Sequence, residues 1–323
     1  MTSPSTAGWV ELVRVYRSGF HEGSHFGAVV VTDADGEIVH ARGDVDAPVF
    51  PRSSNKPFQA VAMLEAGADL ADADLAIAAA SHSGEPQHVD RVRAMLAADG
   101  LTEDHLGCPA TLPYGEAARL DVLRAGGDAR RVYMNCSGKH AGMLRAARVQ
   151  GWDLPGYLAP DHPLQQRVAG VVGRLADENP SAVGIDGCGA PLFAISLTGL
   201  ARAFGRVNAA PAGSTEQLVA SAMRAHPEMV GGAGRDDTLL MGALPGVLVK
   251  GGAEGVHCAA LPDGTCVAVK IADGGDRARM PVLVSALREL GLGPDPVLDQ
   301  LGTGTVLGGG QPVGEVSVAP GLW

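Results

Sequence analysis

Apolar and polar positions first fall into a β-like pattern at residues 25–44, "HFGAVVVTDADGEIVHARGD". Two β-rich runs flank Asp35-Gly36, a pair favoured in tight hairpin turns, so the stretch predicts a hairpin. The period then lengthens. In "PFQAVAMLEAG", Phe58, Val61, Ala62 and Leu64 share one side of a helix that stops at Gly67. A compact apolar run, "LAIAAA", leads into the polar "SHSGE". Helical spacing returns at Val89, Val92, Met95 and Leu96, and again at Leu164, Val168, Val171 and Leu175. Between them, "GKHAGMLRAARVQG" predicts a short helix after a glycine. "STEQLVASAMRAHP" predicts a helix that opens on a capping box, Ser214 with Gln217, and ends at Pro227.

The pattern changes once more in "GVLVKGGAEGVHCAALPDGTCVAVKIADG". It holds three β-rich runs, the last two joined at Asp263-Gly264, and the helix "MPVLVSALRELG" follows. Strands therefore open the chain, helices fill the middle, and strands with a helix close it. The simplest assembly is an α/β chain of the α+β kind. Its terminal strands join into one mostly antiparallel sheet, with packed helices and a helical lobe. No linker, low-complexity segment or internal repeat interrupts residues 1–323, so a single domain is expected.

Composition narrows the function. Hydrophobic residues make up 46% of the 323, enough for a globular core. The net charge is −11 with no basic run, which argues against a nucleic-acid or anionic-membrane partner. The start lacks a positive region followed by an apolar run, and no apolar stretch approaches a membrane span. A cytoplasmic location is the expectation.

The basic residues are the more informative set: 21 arginines but only four lysines, at 56, 139, 250 and 270. A chain that writes arginine wherever charge suffices keeps lysine where an amine must give up its proton. Ser53 and Lys56 in "PRSSNKPFQA" have the Ser-x-x-Lys spacing, of which about 0.2 would arise by chance in this composition. A serine hydroxyl needs a base before it can attack, and a buried lysine can be that base. Pro57 is tolerated only in the first turn of a helix, so the helix must begin at about Ser54 to Lys56. Backbone N–H groups there could serve an oxyanion. The competing reading makes Ser54 or Asn55 a plain helix cap.

A late strand lysine, Lys250 in "VLVKGG", and Ser81 with Ser83 in "ASHSGE" extend the pattern toward that of penicillin-recognising serine acyl-enzymes. On their own, Lys250 could reach solvent and Ser81 could cap a helix.

Five cysteines without an export signal do not suggest disulfides. Cys258 and Cys266 read as buried, inert thiols. Cys136 and Lys139 in "NCSGKHAG", with Cys188 in "GIDGCGAP", are two thiols and a nitrogen that would suit zinc. The spacing alone, with no Cys-x-x-Cys, favours core thiols instead.

Taken together and in order, "RSSNKPFQA", "ASHSGE", "NCSGKHAGML", "PDHPLQQRV", "GIDGCGAP", "AHPEMV" and "VKGGAEGV" with "VKIADG" resemble the asparaginase II family, the rhizobial-type L-asparaginases. They span most of residues 20–275. The resemblance implies a fold related to serine β-lactamases and glutaminases, and hydrolysis of L-asparagine to L-aspartate and ammonia. It implies two Ser-Lys tandems, Ser53 with Lys56 and Ser81 with Lys250. It also implies one zinc ion per chain, held by Cys136, Lys139, Cys188 and water. Arg52, Asn135, His140 and Asp186 would line the substrate pocket, and a homodimer is the expected assembly. In the mechanism this suggests, Ser53 attacks the side-chain amide while Lys56 takes its proton, with Ser81 the alternative nucleophile. The segment around residues 207–215 is short for the family, which bears on oligomer contacts more than on chemistry. Two rivals are a penicillin-recognising hydrolase and a non-catalytic zinc or amino-acid binding protein.

Overall fold

The alternation at residues 25–44 becomes the later part of β2 (Phe20–Thr32) and β3 (Ile38–Arg42) in a computed structural model that describes residues 8–323; β1 (Val10–Arg17) precedes them and the two-residue β4 (Pro48–Val49) follows, neither being part of that reading. The first seven residues, part of the stretch read for an export signal, lie outside the described residues. The middle is helical: α1 (Lys56–Glu65), α2 (Asp72–Ala78), α3 (Pro86–Ala98), α4 (Glu116–Arg124), α5 (Ser137–Val149) and α6 (Pro163–Ala176). A short hairpin follows, β5 (Ala182–Ile185) and β6 (Pro191–Ser196), and then α7 (Leu197–Asn208), α8 (Thr215–Ala225), α9 (Pro227–Val230) and α10 (Asp236–Ala243). The chain closes with β7 (Leu248–Gly251), β8 (Val256–Ala260), β9 (Cys266–Ile271), α11 (Asp276–Glu289), α12 (Pro296–Gly302), β10 (Gly304–Gly308) and β11 (Gln311–Val318).

The expected assembly is found. N- and C-terminal strands join in one antiparallel sheet of order β10-β11-β1-β2-β9-β8-β7, with β3 hairpinned to β2. A second, small sheet runs β4-β6-β5. Successive strand residues point to opposite faces, so a strand buried at every position needs cover on both sides. β8 is such a strand, and β9 nearly so; α7 and α11 both pack on them. The remaining helices form the lobe, with α1 against α6, α8 and α5, and α2 against α8 and α5.

Beyond the elements it did not include, such as β5, β6 and α7, the sequence reading is altered by the structure most clearly at three places. Helix α1 buries not only Phe58, Val61 and Ala62 but also Ala60 and Met63, because helices surround it. Helix α11 begins at Asp276, four residues before the expected start, so Pro281 lies inside it. The C-terminal hairpin β10–β11 was not legible, because Gly308, Gly309, Gly310 and Pro312 dilute its alternation. Yet β11 pairs with β1 from Val13↔Val318 to Arg17↔Gly314. Among the described residues, no helix is long and apolar enough to cross a membrane.

Candidate active site

The quoted turn behaves as Pro57 requires. Arg52–Asn55 form one 3₁₀ turn and α1 starts at Lys56, with the proline in its first turn. The three-residue offset between Ser53 and Lys56 is taken up by the backbone, since the Lys56 N–H donates to the Ser53 carbonyl. The two side chains part company. Ser53 faces a cavity of about 300 Å3, whereas Lys56 is 1% exposed. Among the described residues, Lys56 Nζ donates to Ser81 Oγ at 2.8 Å and to the Ala80 carbonyl, not back to Ser53. Ser81 is fixed from both sides: its own N–H donates to Val230 O, and the His82 N–H donates to Asn135 O.

Lys250 reaches the same centre from β7 and is fully buried. Its ammonium donates to Asp237 Oδ2 at 2.6 Å and to Gly251 O at 2.8 Å, so its hydrogen bonds go to Asp237 instead of Ser81. The other carboxylate oxygen accepts the Gly251 N–H at 2.8 Å and lies 3.1 Å from His257 Nε2. Burial alone would raise the Asp237 pKa. The Lys250 charge and the His257 contact outweigh it and hold the carboxyl well below its usual range. Burial pulls Lys250 below the ordinary lysine value, against the attraction of Asp237. Behind this pair the strand end meets the serine turn: Ser54 Oγ donates to Lys250 O at 3.0 Å. A Cβ on Gly252 would stand 2.7 Å from Pro51 O and 3.3 Å from Ser53 N, a closeness only glycine permits.

The third group comes from the start of α5 and the β5–β6 turn. Lys139 Nζ donates to Cys188 Sγ at 3.0 Å, and the Cys136 thiol lies 3.2 Å from Asn135 Oδ1. Hydrogen bonding from Cys136, with Lys139 beside it, holds the Cys188 thiol far below a free cysteine, although burial opposes this. The same contact and burial push Cys136 up. Burial works against the Lys139 charge, but the two sulfurs outweigh it and raise its pKa. Next in the helix, His140 Nδ1 shares a hydrogen bond with Tyr157 Oη at 2.6 Å, while its Nε2 is buried without a partner. Two sulfurs, one already disposed to the thiolate, stand with the Lys139 nitrogen, which would have to give up its proton to bind a metal, and together they are a donor set that would suit zinc. Among the described residues, no set of three or more His, Cys, Asp and Glu side chains forms a metal site.

Arg52 and Asp186 are brought together by a 2.8 Å ion pair, and Arg52 also lies 3.6 Å from Glu254. Arg52 has φ +51, a left-handed conformation unusual outside glycine, at the residue that aims this side chain. Cys258 and Cys266 lie in the core with burial raising both thiols, as inert residues should.

Ser53, Ser81 and Asn135 share the cavity with Tyr114, Arg235 and Arg279. These last three, and Asp237, escaped the sequence reading. Asp237 lies in "GRDDTLL", where nothing in the spacing points to a lysine thirteen residues on. The one usable signal was the scarcity of lysine, which implies that a buried Lys250 needs a carboxylate.

Sequence comparison matches residues 13–318 to the family described as L-asparaginase II. No curated protein matches the chain. Among solved structures, the chain is similar to Mglu in its native form, at 14% identity over 82% of this chain and 63% of that one, with a TM-score of 0.42. It therefore spans less than two thirds of the Mglu chain. It is also similar to a putative β-lactamase from Bacteroides dorei (15% identity, 81% and 93% covered, TM-score 0.42). A β-lactamase from Mycobacterium bovis is a third (19% identity, 82% and 95% covered, TM-score 0.42).

Proposed function

The chain belongs to the L-asparaginase II family, a family of hydrolases, and from that premise we propose that it hydrolyses the side-chain amide of L-asparagine to L-aspartate and ammonia. One observation carries the reading: buried Lys56 Nζ stands 2.8 Å from Ser81 Oγ, and Ser81 lines a small cavity together with Ser53. That is base-to-nucleophile distance. Lys56 takes the Ser81 proton as Oγ attacks the amide carbon. The proton is returned to the departing nitrogen, ammonia leaves, and water hydrolyses the ester. The contact thus favours Ser81 over Ser53 as the acylated residue.

Ser53, on the other wall, is a second hydroxyl able to hydrogen-bond the substrate. Lys250, neutralised by Asp237, fixes the strand end at Gly251 and Gly252 that forms the adjoining wall. Cys136, Lys139 and Cys188 are the residues that would hold a zinc ion. Bound there, zinc would supply Lewis acidity to a substrate oxygen. Arg52 and Asp186 brace the neighbouring turn through their ion pair.

The test is ammonia release from L-asparagine by the zinc-loaded protein, run beside L-glutamine and with a chelator. Release from L-asparagine is expected. Turnover of a chromogenic cephalosporin with no ammonia from L-asparagine would overturn the reading in favour of a penicillin-recognising hydrolase. No turnover of either would leave a binding protein.

A further inference from the structure

Two arginines line the cavity, and they are not alike. Arg279 is neutralised by Asp236 at 2.9 Å and also donates to Gly252 O. Arg235 has no carboxylate partner among the described residues. Its guanidinium carbon lies 4.6 Å from the centroid of the Tyr114 ring, a cation–π contact that orients the planar group without neutralising it. Its Nη1 is buried and has no hydrogen-bond partner. A buried donor left unpaired is costly, more so when charged, so such a group marks a place for a missing acceptor. The charge is felt at the centre of the site. Behind the larger effect of burial, it adds to the forces that lower Lys250 and His82.

The acceptor this geometry suits is a carboxylate, which takes two parallel N–H bonds from a guanidinium fork. The cavity, about 300 Å3, suits a small zwitterion; the rim carboxylates Glu254 and Asp276, which lie 3.6 Å from Arg52 and 3.7 Å from Arg279, are the acidic groups nearest an ammonium bound there.

We propose that Arg235, braced by Tyr114, is the subsite for the α-carboxylate of the substrate, and that it restricts the enzyme to free α-amino-acid amides. This rests on the asparaginase reading for its substrate, and the experiment keeps the two apart. The wild type and Arg235→Met are compared on L-asparagine and on L-asparagine α-methyl ester, which lacks the carboxylate. The wild-type preference for the free acid, as a ratio of kcat/KM values, is expected to fall by about tenfold or more in the variant, mainly through KM. A ratio is insensitive to how much of the variant folds. Arg235→Lys, which keeps the charge and loses the fork, is expected to fall between. An unchanged ratio overturns the proposal.

Calorimetric titration with L-aspartate and its α-methyl ester needs no turnover. If the wild type releases no ammonia from L-asparagine, the asparaginase reading fails and Arg235 is still judged by this titration. Tighter binding of L-aspartate by the wild type, lost in Arg235→Met, supports the subsite. Equal binding of both ligands by the wild type, or the same preference in the variant, overturns it.

Discussion

Three of the four lysines, Lys56, Lys139 and Lys250, are at most 1% exposed. The chain spends its rarest basic residue where desolvation can matter. That much was legible, because Arg and Lys differ in proton chemistry and the sequence chooses between them consistently. Pairing was not legible. The spacing of Ser53 and Lys56 suggested a tandem, but a 3₁₀ turn sends one side chain to the cavity and the other into the lobe toward Ser81. Ser81→Ala is therefore expected to lower kcat on L-asparagine by about 10²–10⁴-fold, and Ser53→Ala by less. Acid-quenched mass spectrometry should find the acyl group on Ser81; an adduct on Ser53 reverses the assignment. At the thiol cluster, Cys188→Ser is expected to weaken zinc binding by roughly tenfold or more, read by metal analysis after dialysis. Equal zinc content in variant and wild type would remove Cys188 from the ligand set.

Among the elements, the join between β7 and the serine turn decides the geometry of the site. Gly252→Ala drives a methyl group into the Pro51 carbonyl, at 2.7 Å, with no flexible side chain able to yield. A cost of about 1–3 kcal/mol and a loss of activity larger than the loss of folded protein are expected, measured by thermal unfolding and steady-state kinetics. Gly242, near the end of α10, is the contrast. It is exposed, and a Cβ there meets nothing within 4 Å. Gly242→Ala should raise stability by about 0.5–1 kcal/mol, since alanine is the better helix former and restrains the unfolded chain. Equal effects of the two changes would show that the close approach at Gly252 is unimportant. Helices with a clear apolar face and a capping residue were readable in advance: Ser214 caps α8 through the Gln217 N–H, although the expected box is not closed, since the Gln217 side chain accepts from the Gly213 N–H instead of Ser214. The hairpin β10–β11 was not, because its stability comes from β1, some 300 residues away in sequence.

For the whole molecule, stability should depend on pH through the stacked imidazoles of His82 and His88, whose ring centroids lie 5.0 Å apart. Burial pushes His82 well below an ordinary histidine, with His88 and Lys56 adding to the effect, and burial pushes His88 down as well. An unfolded histidine titrates near 6.5, so below about that pH the unfolded chain binds more protons than the folded one. Stability therefore falls as the pH drops from about 6.5 toward the folded pKa values, by up to about 1.4 kcal/mol per pH unit for each residue. Asp237 acts in a separate window, more acidic than the ordinary aspartate pKa. Its lowered pKa gives stability that is present above that value and lost only as the pH falls toward the folded one. Urea midpoints at pH 7.5 and 5.5 check the histidine contribution, and His82→Gln should flatten the slope. A midpoint that does not move over that interval would refute it.

The sequence by itself determined the α+β assembly, a helix start between Ser54 and Lys56, and the burial of most of its scarce lysines. These follow from local rules of periodicity, capping and proline geometry, and from which residue types the chain keeps scarce. Only the tertiary structure decided that Lys56 meets Ser81, that Lys250 meets Asp237, and that Arg235 stands unneutralised over Tyr114. Each is a contact between side chains on different elements. Its distance is set by how the lobe packs on the sheet, and no spacing along the chain encodes that.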